Sequence, residues 1–216
     1  MSDIRRAQLV LALRRSGVRD PAVLEAMERI PRELFVPESL ADRAYDDIAL
    51  PLAEGQTVSQ PHIVALMCEA LELSRQHTVL EVGTGSGYQA AVLARLARRV
   101  YTIERHRPLL AEAEGRLCAL KLHNVTTRVG DGRKGWPEAA PFARIVVAAA
   151  AAEPPPALLE QLASDGVLVL PIGQAHGAQE LVRIRKSGGS VQSERLMPVR
   201  FVPLVAEKSK ASVFSP

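Results

Sequence analysis

Three alternating glycines, Gly83, Gly85 and Gly87, and two later acids, Glu104 and Asp131, have the types and spacing to do chemistry. Val79 to Val82 reads as a buried strand whose only charge is Glu81, and Gln89 to Leu96 reads as a helix, so the glycines form the turn between them. Strand, glycine turn and helix make half of a βαβ nucleotide-binding unit, in which glycine lets the backbone bend sharply and approach a ligand with no Cβ in the way. Glu104 lies 21 residues beyond Gly83, about where an acid accepts hydrogen bonds from ribose hydroxyls. Asp131, between Gly130 and Gly132 at another strand's end, could accept from an adenine amino group. The spacing also excludes other sites. G-x-G-x-x-G would need glycine where Tyr88 stands, G-x-x-x-x-G-K-[ST] is absent, and a hydrolase G-x-S-x-G around Ser86 would need glycines at 84 and 88.

Those residues need strands to carry them. The pattern predicts strands at 77–82, 100–103, 125–129, 145–149 and 167–171, with helices over 88–97, 107–121 and 156–162 between them. This alternation implies an α/β fold with a doubly wound, Rossmann-like parallel sheet, whose ligand sits beyond the strands' carboxyl ends. Residues 181–185 and 191–196, joined by Ser187-Gly188-Gly189, suggest a C-terminal antiparallel hairpin, with Asp165-Gly166 as a turn into the fifth strand. Upstream, an amphipathic helix over 3–16 carries Ile4, Ala7, Leu11 and Leu13. A second helix opens at Asp20-Pro21 with Val23, Leu24, Met27 and Ile30 facing inward, and a third covers 63–73. Between them, residues 31–61 are long, proline-broken and irregular, yet hold Leu34, Phe35, Ile48 and Leu50; that combination reads as a functional loop. The division expected is 1–78 for the N-terminal helices and active-site loop, 79–206 for the nucleotide-binding core and 207–216 for a frayed tail, all in one compact unit.

Composition narrows the classes. Hydrophobic content of 47% suits a globular protein able to bury a core, and the net charge of +3 is only mildly basic. Without a dense basic stripe and interleaved aromatics, no nucleic acid partner is expected. Cys68 and Cys118 stand apart and the five histidines lack ligand spacing, so no metal site is expected and the compartment reads as reducing. No signal peptide or membrane span is legible, which points to a soluble, cytoplasmic protein, taken to be a monomer.

The run Glu81-Val82-Gly83-Thr84-Gly85-Ser86-Gly87 resembles the first motif of class I S-adenosyl-L-methionine (SAM) methyltransferases. Asp47 to Ala65, with Gly55-Gln56-Thr57-Val58-Ser59-Gln60-Pro61 at its centre, looks like the signature of protein-L-isoaspartate O-methyltransferases. The likeness continues through 79–89, 100–104, Gly130-Asp131-Gly132 with Gly135-Trp136-Pro137, and 199–204, nearly the whole chain apart from the tail. The resemblance implies a repair enzyme that methylates the α-carboxylate freed when Asp or Asn rearranges to L-isoaspartate. The ester then cyclises to a succinimide, which reopens partly to normal aspartate.

Carried over by position, Ser59 is the catalytic residue. Asp47, Gln56, Thr57, Val58, Ser59 and His62 would meet substrate; Glu81, Gly83, Thr84, Gly85, Ser86, Gly87, Tyr88, Glu104, Asp131 and Gly132 would hold SAM, or its product S-adenosyl-L-homocysteine. Isoaspartyl proteins and peptides would be the partners. A carboxylate is already ionised at neutral pH, so attack on a sulfonium needs no general base, and Ser59 is better cast as a hydrogen-bond donor than as a nucleophile. The chain departs from the family pattern at Ala143, Ala148, Ser164-Asp165 and Val205, which bears on cofactor affinity. Two alternatives stay open: a methyltransferase-fold protein with another carboxylate substrate, and a SAM-binding protein without catalysis. Nucleic acid methylation is disfavoured, because Ala152-Glu153-Pro154-Pro155-Pro156 is not [DN]-P-P-[YF] and neither cysteine follows a proline.

Overall fold

The computed structural model describes residues 2–174 and 177–205. It opens with helices α1 (Ser2–Arg15) and α2 (Pro21–Arg29). The Asp20 carboxylate caps α2 by accepting from the Ala22 and Val23 amides at 2.8 and 3.3 Å, and Pro21 fills the first helical position, where no amide hydrogen is needed. Val23, Leu24, Met27 and Ile30 are all buried, as their spacing implies. The inward face of α1 differs from expectation. Leu9, Val10 and Leu13 are buried, while Ile4 and Leu11 are 66% and 52% exposed and Ala7 is also exposed. Two apolar stripes coexist on this helix, and packing against α2 selects the one that periodicity alone did not.

The irregular stretch is ordered. Two 3₁₀ turns (Arg32–Phe35 and Glu38–Arg43) lead into a small antiparallel pair, β1 (Leu50–Pro51) and β2 (Thr57–Val58), closed over the turn Ala53–Gly55. Helix α3 (Pro61–Ala70) then delivers the chain to the sheet.

The sheet strands are β3 (Thr78–Val82), β4 (Arg99–Glu104), β5 (Val125–Val129), β6 (Phe142–Val147), β7 (Leu162–Gly173), β8 (Gln179–Ser187) and β9 (Ser190–Val199). Their order is β5-β4-β3-β6-β7-β8-β9, parallel from β5 to β7 and antiparallel from β7 to β9. Helices α4 (Tyr88–Leu96), α5 (Arg107–Ala119) and α6 (Pro156–Glu160) lie in the crossovers. From β3 the chain winds outward one way through β4 and β5, then returns to β3's other side for β6. The switch point therefore falls between β3 and β6, and connections leaving their carboxyl ends diverge and open a crevice.

Alternation along β3 serves both faces. Val79 joins a core with α1 to α4, while Leu80 and Val82 join a second with Ile145, Val147, Leu168 and Leu170. All three β3 residues are essentially fully buried, a burial that contributes about 1.5–3 kcal/mol per side chain. Asp165-Gly166 does not make a separate turn before the fifth strand. That strand starts at Leu162, opposite Phe142, and residues 163–166 bulge against the single Ala143 before register resumes at Arg144 and Val167. The expected tail at 207–216 and the histidine at 176 lie outside the described residues.

Candidate active site

The turn leaving β3 is built by backbone conformation. Gly83, Gly85 and Gly87 have φ of 95°, 53° and 89°, a left-handed region that disfavours other L-residues. A Cβ on Gly83 would press against Ala148 at 3.4 Å and one on Gly87 against Ala113 at 3.0 Å, whereas at Gly85 nothing lies within 4 Å. The outer two glycines thus permit close packing, and the middle one faces open space. The neighbouring β5 turn lies equally close, since a Cβ on Gly132 would sit 2.2 Å from Val82 Cγ1.

Glu104 ends β4 beside this turn and is 5% exposed. Its Oε2 accepts from the Gly85 amide and its Oε1 from the His106 amide, both at 2.9 Å. A carboxylate has about four acceptor sites, so each oxygen keeps capacity for a further donor.

These groups line a cleft that opens to solvent. Gly83, Thr84, Gly85, Ser86 and Tyr88 form one side and Glu104, Gly130 and Gly132 another; Ala148 and Ala149 follow β6, and Gln56 to Ser59 close the end. Residues 201–205 run across as a strap. Its backbone is tied to Ala150 by Ala150 N donating to Val202 O at 2.8 Å and Leu204 N donating to Ala150 O at 2.7 Å. The buried Gln179 amide clamps the strap's start, accepting from Phe201 N at 2.6 Å and donating to Phe201 O at 3.2 Å. A second hollow lies against Gln60, His62 and Ile63 on one side and Met197 to Phe201 on the other. Thr57, Ser59 and Phe201 line both spaces and form the wall between them.

A sequence model described as protein-L-isoaspartate(D-aspartate) O-methyltransferase matches residues 4–209. The chain belongs to this methyltransferase family. It is 57% identical to the protein-L-isoaspartate O-methyltransferase of Rhodospirillum centenum, over 94% of this chain and 92% of that one. The relative from Rhodospirillum rubrum is 58% identical over 93% of each. Among solved structures, a Plasmodium falciparum protein assigned to the same family, in complex with S-adenosyl-L-homocysteine, superposes with a TM-score of 0.81 at 28% identity, covering 92% of this chain and 97% of that one.

In this member of the methyltransferase family, five of the residues singled out from sequence do not line the main cleft. Gly87 packs on Ala113, as above. The Asp131 carboxylate is held by its neighbour: Arg133 donates from its amide at 3.0 Å and from Nη2 and Nε at 2.8 and 3.1 Å. Asp47 acts from outside α3, its carboxylate accepting from the His62 amide and the Gln60 side chain, both at 2.9 Å, which makes it a long-range cap for that helix. His62 lines the second hollow. Glu81 lies wholly buried beneath the turn. Thr102 Oγ1 donates to its Oε2 at 2.6 Å, the Thr102 and Thr84 hydroxyls are 2.6 Å apart, and Oε1 has no partner. Burial pushes the Glu81 carboxyl up to about 8, with the Thr102 hydrogen bond opposing and the nearby Glu104 adding to the rise.

Sequence reasoning missed Arg32. It is fully buried; Nε donates to Ala44 O and Nη2 to Ser59 O, both at 2.8 Å, while the guanidinium stands 4.6 Å from the Tyr88 ring centroid. Burial lowers its pKa, opposed by Tyr88 and Asp47. Nothing in Ile30-Pro31-Arg32-Glu33 distinguishes this arginine from a surface charge. Gln89, also missed, lines the cleft with Nε2 unpartnered.

Among the described residues no cluster of three or more His, Cys, Asp and Glu could hold a metal ion, and no helix is long and apolar enough to cross a membrane.

Proposed function

We propose that the cleft is where this chain methylates the free α-carboxylate of L-isoaspartyl residues in proteins and peptides, with SAM as the methyl donor. The observation that carries this reading is Ser59 in the wall shared by two spaces, one rimmed by the glycine turn and Glu104, the other open beside His62.

The residues present suit the cofactor. Gly85 opens onto free space where a Cβ would intrude, Glu104 has acceptor capacity for ribose hydroxyls, and the unpartnered Gln89 Nε2 offers a buried donor. Gly83, Thr84, Ser86, Tyr88 and Gly132 would complete the cradle. Gly87 would set the helix behind the turn, and Glu81 would act through Thr102 and Thr84 rather than by contact. Asp131 would serve an adenine amino group once Arg133 shares or leaves its carboxylate. When bound, SAM supplies an electrophilic methyl group on a sulfonium.

The protein's work is then alignment and exclusion of water. The substrate carboxylate is ionised well below neutral pH, so no residue has to remove a proton. The Ser59 hydroxyl donates to one carboxylate oxygen and presents the other, with Gln56, Thr57 and Val58 bounding the approach. Asp47 and His62 hold the loop and its outer hollow. Alignment of this kind supplies roughly 7–11 kcal/mol of barrier lowering. The chain would act as a monomer on protein substrates rather than nucleic acid. An exposed free thiol at Cys118 supports the cytoplasm as its compartment.

Radiolabelled methyl transfer to an isoaspartyl peptide and its normal aspartyl twin tests the reading. Label should enter the isoaspartyl peptide alone. Equal labelling of the twins would reject it, as would cofactor binding with no acceptor labelled.

A further inference from the structure

We propose that Arg32 is a positioning residue for methyl transfer, setting Ser59 in register with the glycine turn through the Ser59 carbonyl and the Tyr88 ring. The inference rests on the role proposed above for Ser59.

Arg32 is an expensive choice for its place. A buried guanidinium gives up its hydration, and this one gains two carbonyl partners and the Tyr88 side chain but no bonded carboxylate, with Nη1 left without a hydrogen bond. No carboxylate among the described residues is bonded to it. A neutral side chain could fill the space with less penalty, so filling space does not explain the residue.

Its connections do. The planar fork joins Ala44, in the stretch before β1, to Ser59, while its face covers Tyr88, the first residue of α4 directly after Gly87. Tyr88 cannot drift, because Phe35 meets its ring edge-on at 5.5 Å and its hydroxyl reaches Met27 Sδ at 3.5 Å. One side chain thereby ties the substrate loop to the element whose position the turn dictates. Asp47 grips the same loop just beyond, at Gln60 and His62. Ser59 is fixed between the two, and only Arg32 reaches towards the cofactor side. A lysine carries the same charge but lacks the fork and the flat face, so it cannot make all three contacts.

The test compares Arg32→Lys and Arg32→Gln with the parent enzyme. Glutamine removes the buried charge while keeping an amide donor, so this variant should fold and melt at or above the parent temperature. In both variants kcat for an isoaspartyl peptide should fall about tenfold or more, a scale set by small misplacements of reacting groups. Affinity for S-adenosyl-L-homocysteine, read by calorimetry, should stay within about threefold, since Phe35 and Met27 still hold the Tyr88 ring and no other cradle residue meets Arg32. In a Ser59→Ala background, adding Arg32→Gln should change kcat by less than about twofold, because a residue that acts through Ser59 has nothing left to act on.

The proposal is overturned if kcat of both variants stays within about twofold of the parent, or if the loss persists undiminished in the Ser59→Ala background. Cofactor affinity falling in step with kcat would overturn it too, as would failure of both variants to fold, which would make Arg32 a folding determinant. Ser59→Ala alone separates the two claims. If that variant turns over like the parent, the role given to Ser59 fails and takes this inference with it; if it is slow while the Arg32 variants are normal, only this inference fails.

Discussion

Ser59 and Glu104 carry opposite halves of the proposed site, and each should fail in its own way. In the proposed role Ser59 would contribute one hydrogen bond to a charged group, worth about 1.5–3 kcal/mol, so Ser59→Ala should lower kcat roughly 10–100-fold. Affinity for S-adenosyl-L-homocysteine should hardly change; outright loss of cofactor binding would show the residue to be misplaced. Glu104→Ala should do the reverse. It removes the acceptor that fixes the Gly85 amide and the capacity left for ribose hydroxyls, so cofactor affinity should weaken by about 10–100-fold before kcat at saturating SAM responds. Titration calorimetry with the product, beside steady-state kinetics, separates the two. The place of Glu104 beside the glycine turn was legible in sequence because it follows from two local facts, a strand end and a distance from that turn. Arg32 was not, because its partners lie 12, 27 and 56 residues along the chain, at Ala44, Ser59 and Tyr88, and meet only after folding.

Elements carried their own signals unevenly. Helix α2 announced its start through Asp20-Pro21 and its face through one apolar stripe, whereas α1 offered two stripes and tertiary packing chose between them. Most parallel strands were legible as apolar runs; the bulge at 163–166 was not, since Asp165-Gly166 looks the same in a turn or a bulge. Asp47 shows a role and a mechanism coming apart. Its place in the Asp47–Ala65 signature marked it for substrate, yet its carboxylate is committed to the amino end of α3. Asp47→Ala should therefore act first on the element, costing about 0.5–2 kcal/mol as loss of a helix cap does. Denaturant unfolding would measure it, with an unchanged slope expected. Turnover should then fall less than in Ser59→Ala, because Arg32 still holds the Ser59 carbonyl. If stability were unchanged and turnover lost, Asp47 would be acting on substrate directly.

For the whole molecule, the switch point between β3 and β6 places both the opportunity and a liability, since Glu81 lies in the most buried strand directly beneath the turn. An unfolded chain ionises this residue near 4.5, whereas the folded one keeps its proton to about 8. Between those values the folded state binds more protons, so raising pH destabilises it, opposite to the usual carboxylate. Other shifted groups act elsewhere. The lowered values of Glu72 and Glu138 give stability that is complete above the ordinary carboxylate range and lost only as pH falls below it. His77, lowered by burial and Arg144, makes stability rise with pH until its unfolded value near 6.5 and is then silent. From about pH 6.5 to 8 the Glu81 slope should stand alone. A rise of about 1.5 pH units at about 1.4 kcal/mol each gives roughly 2 kcal/mol, or about 4–8 °C for a chain this size. Ligand-free protein should melt lower at pH 8 than at pH 6.5, and Glu81→Gln should flatten that fall and melt above the parent at pH 8. Parallel melting curves for the two proteins across that window would mean that Glu81 ionises as freely folded as unfolded, and that the turn rests on no buried proton.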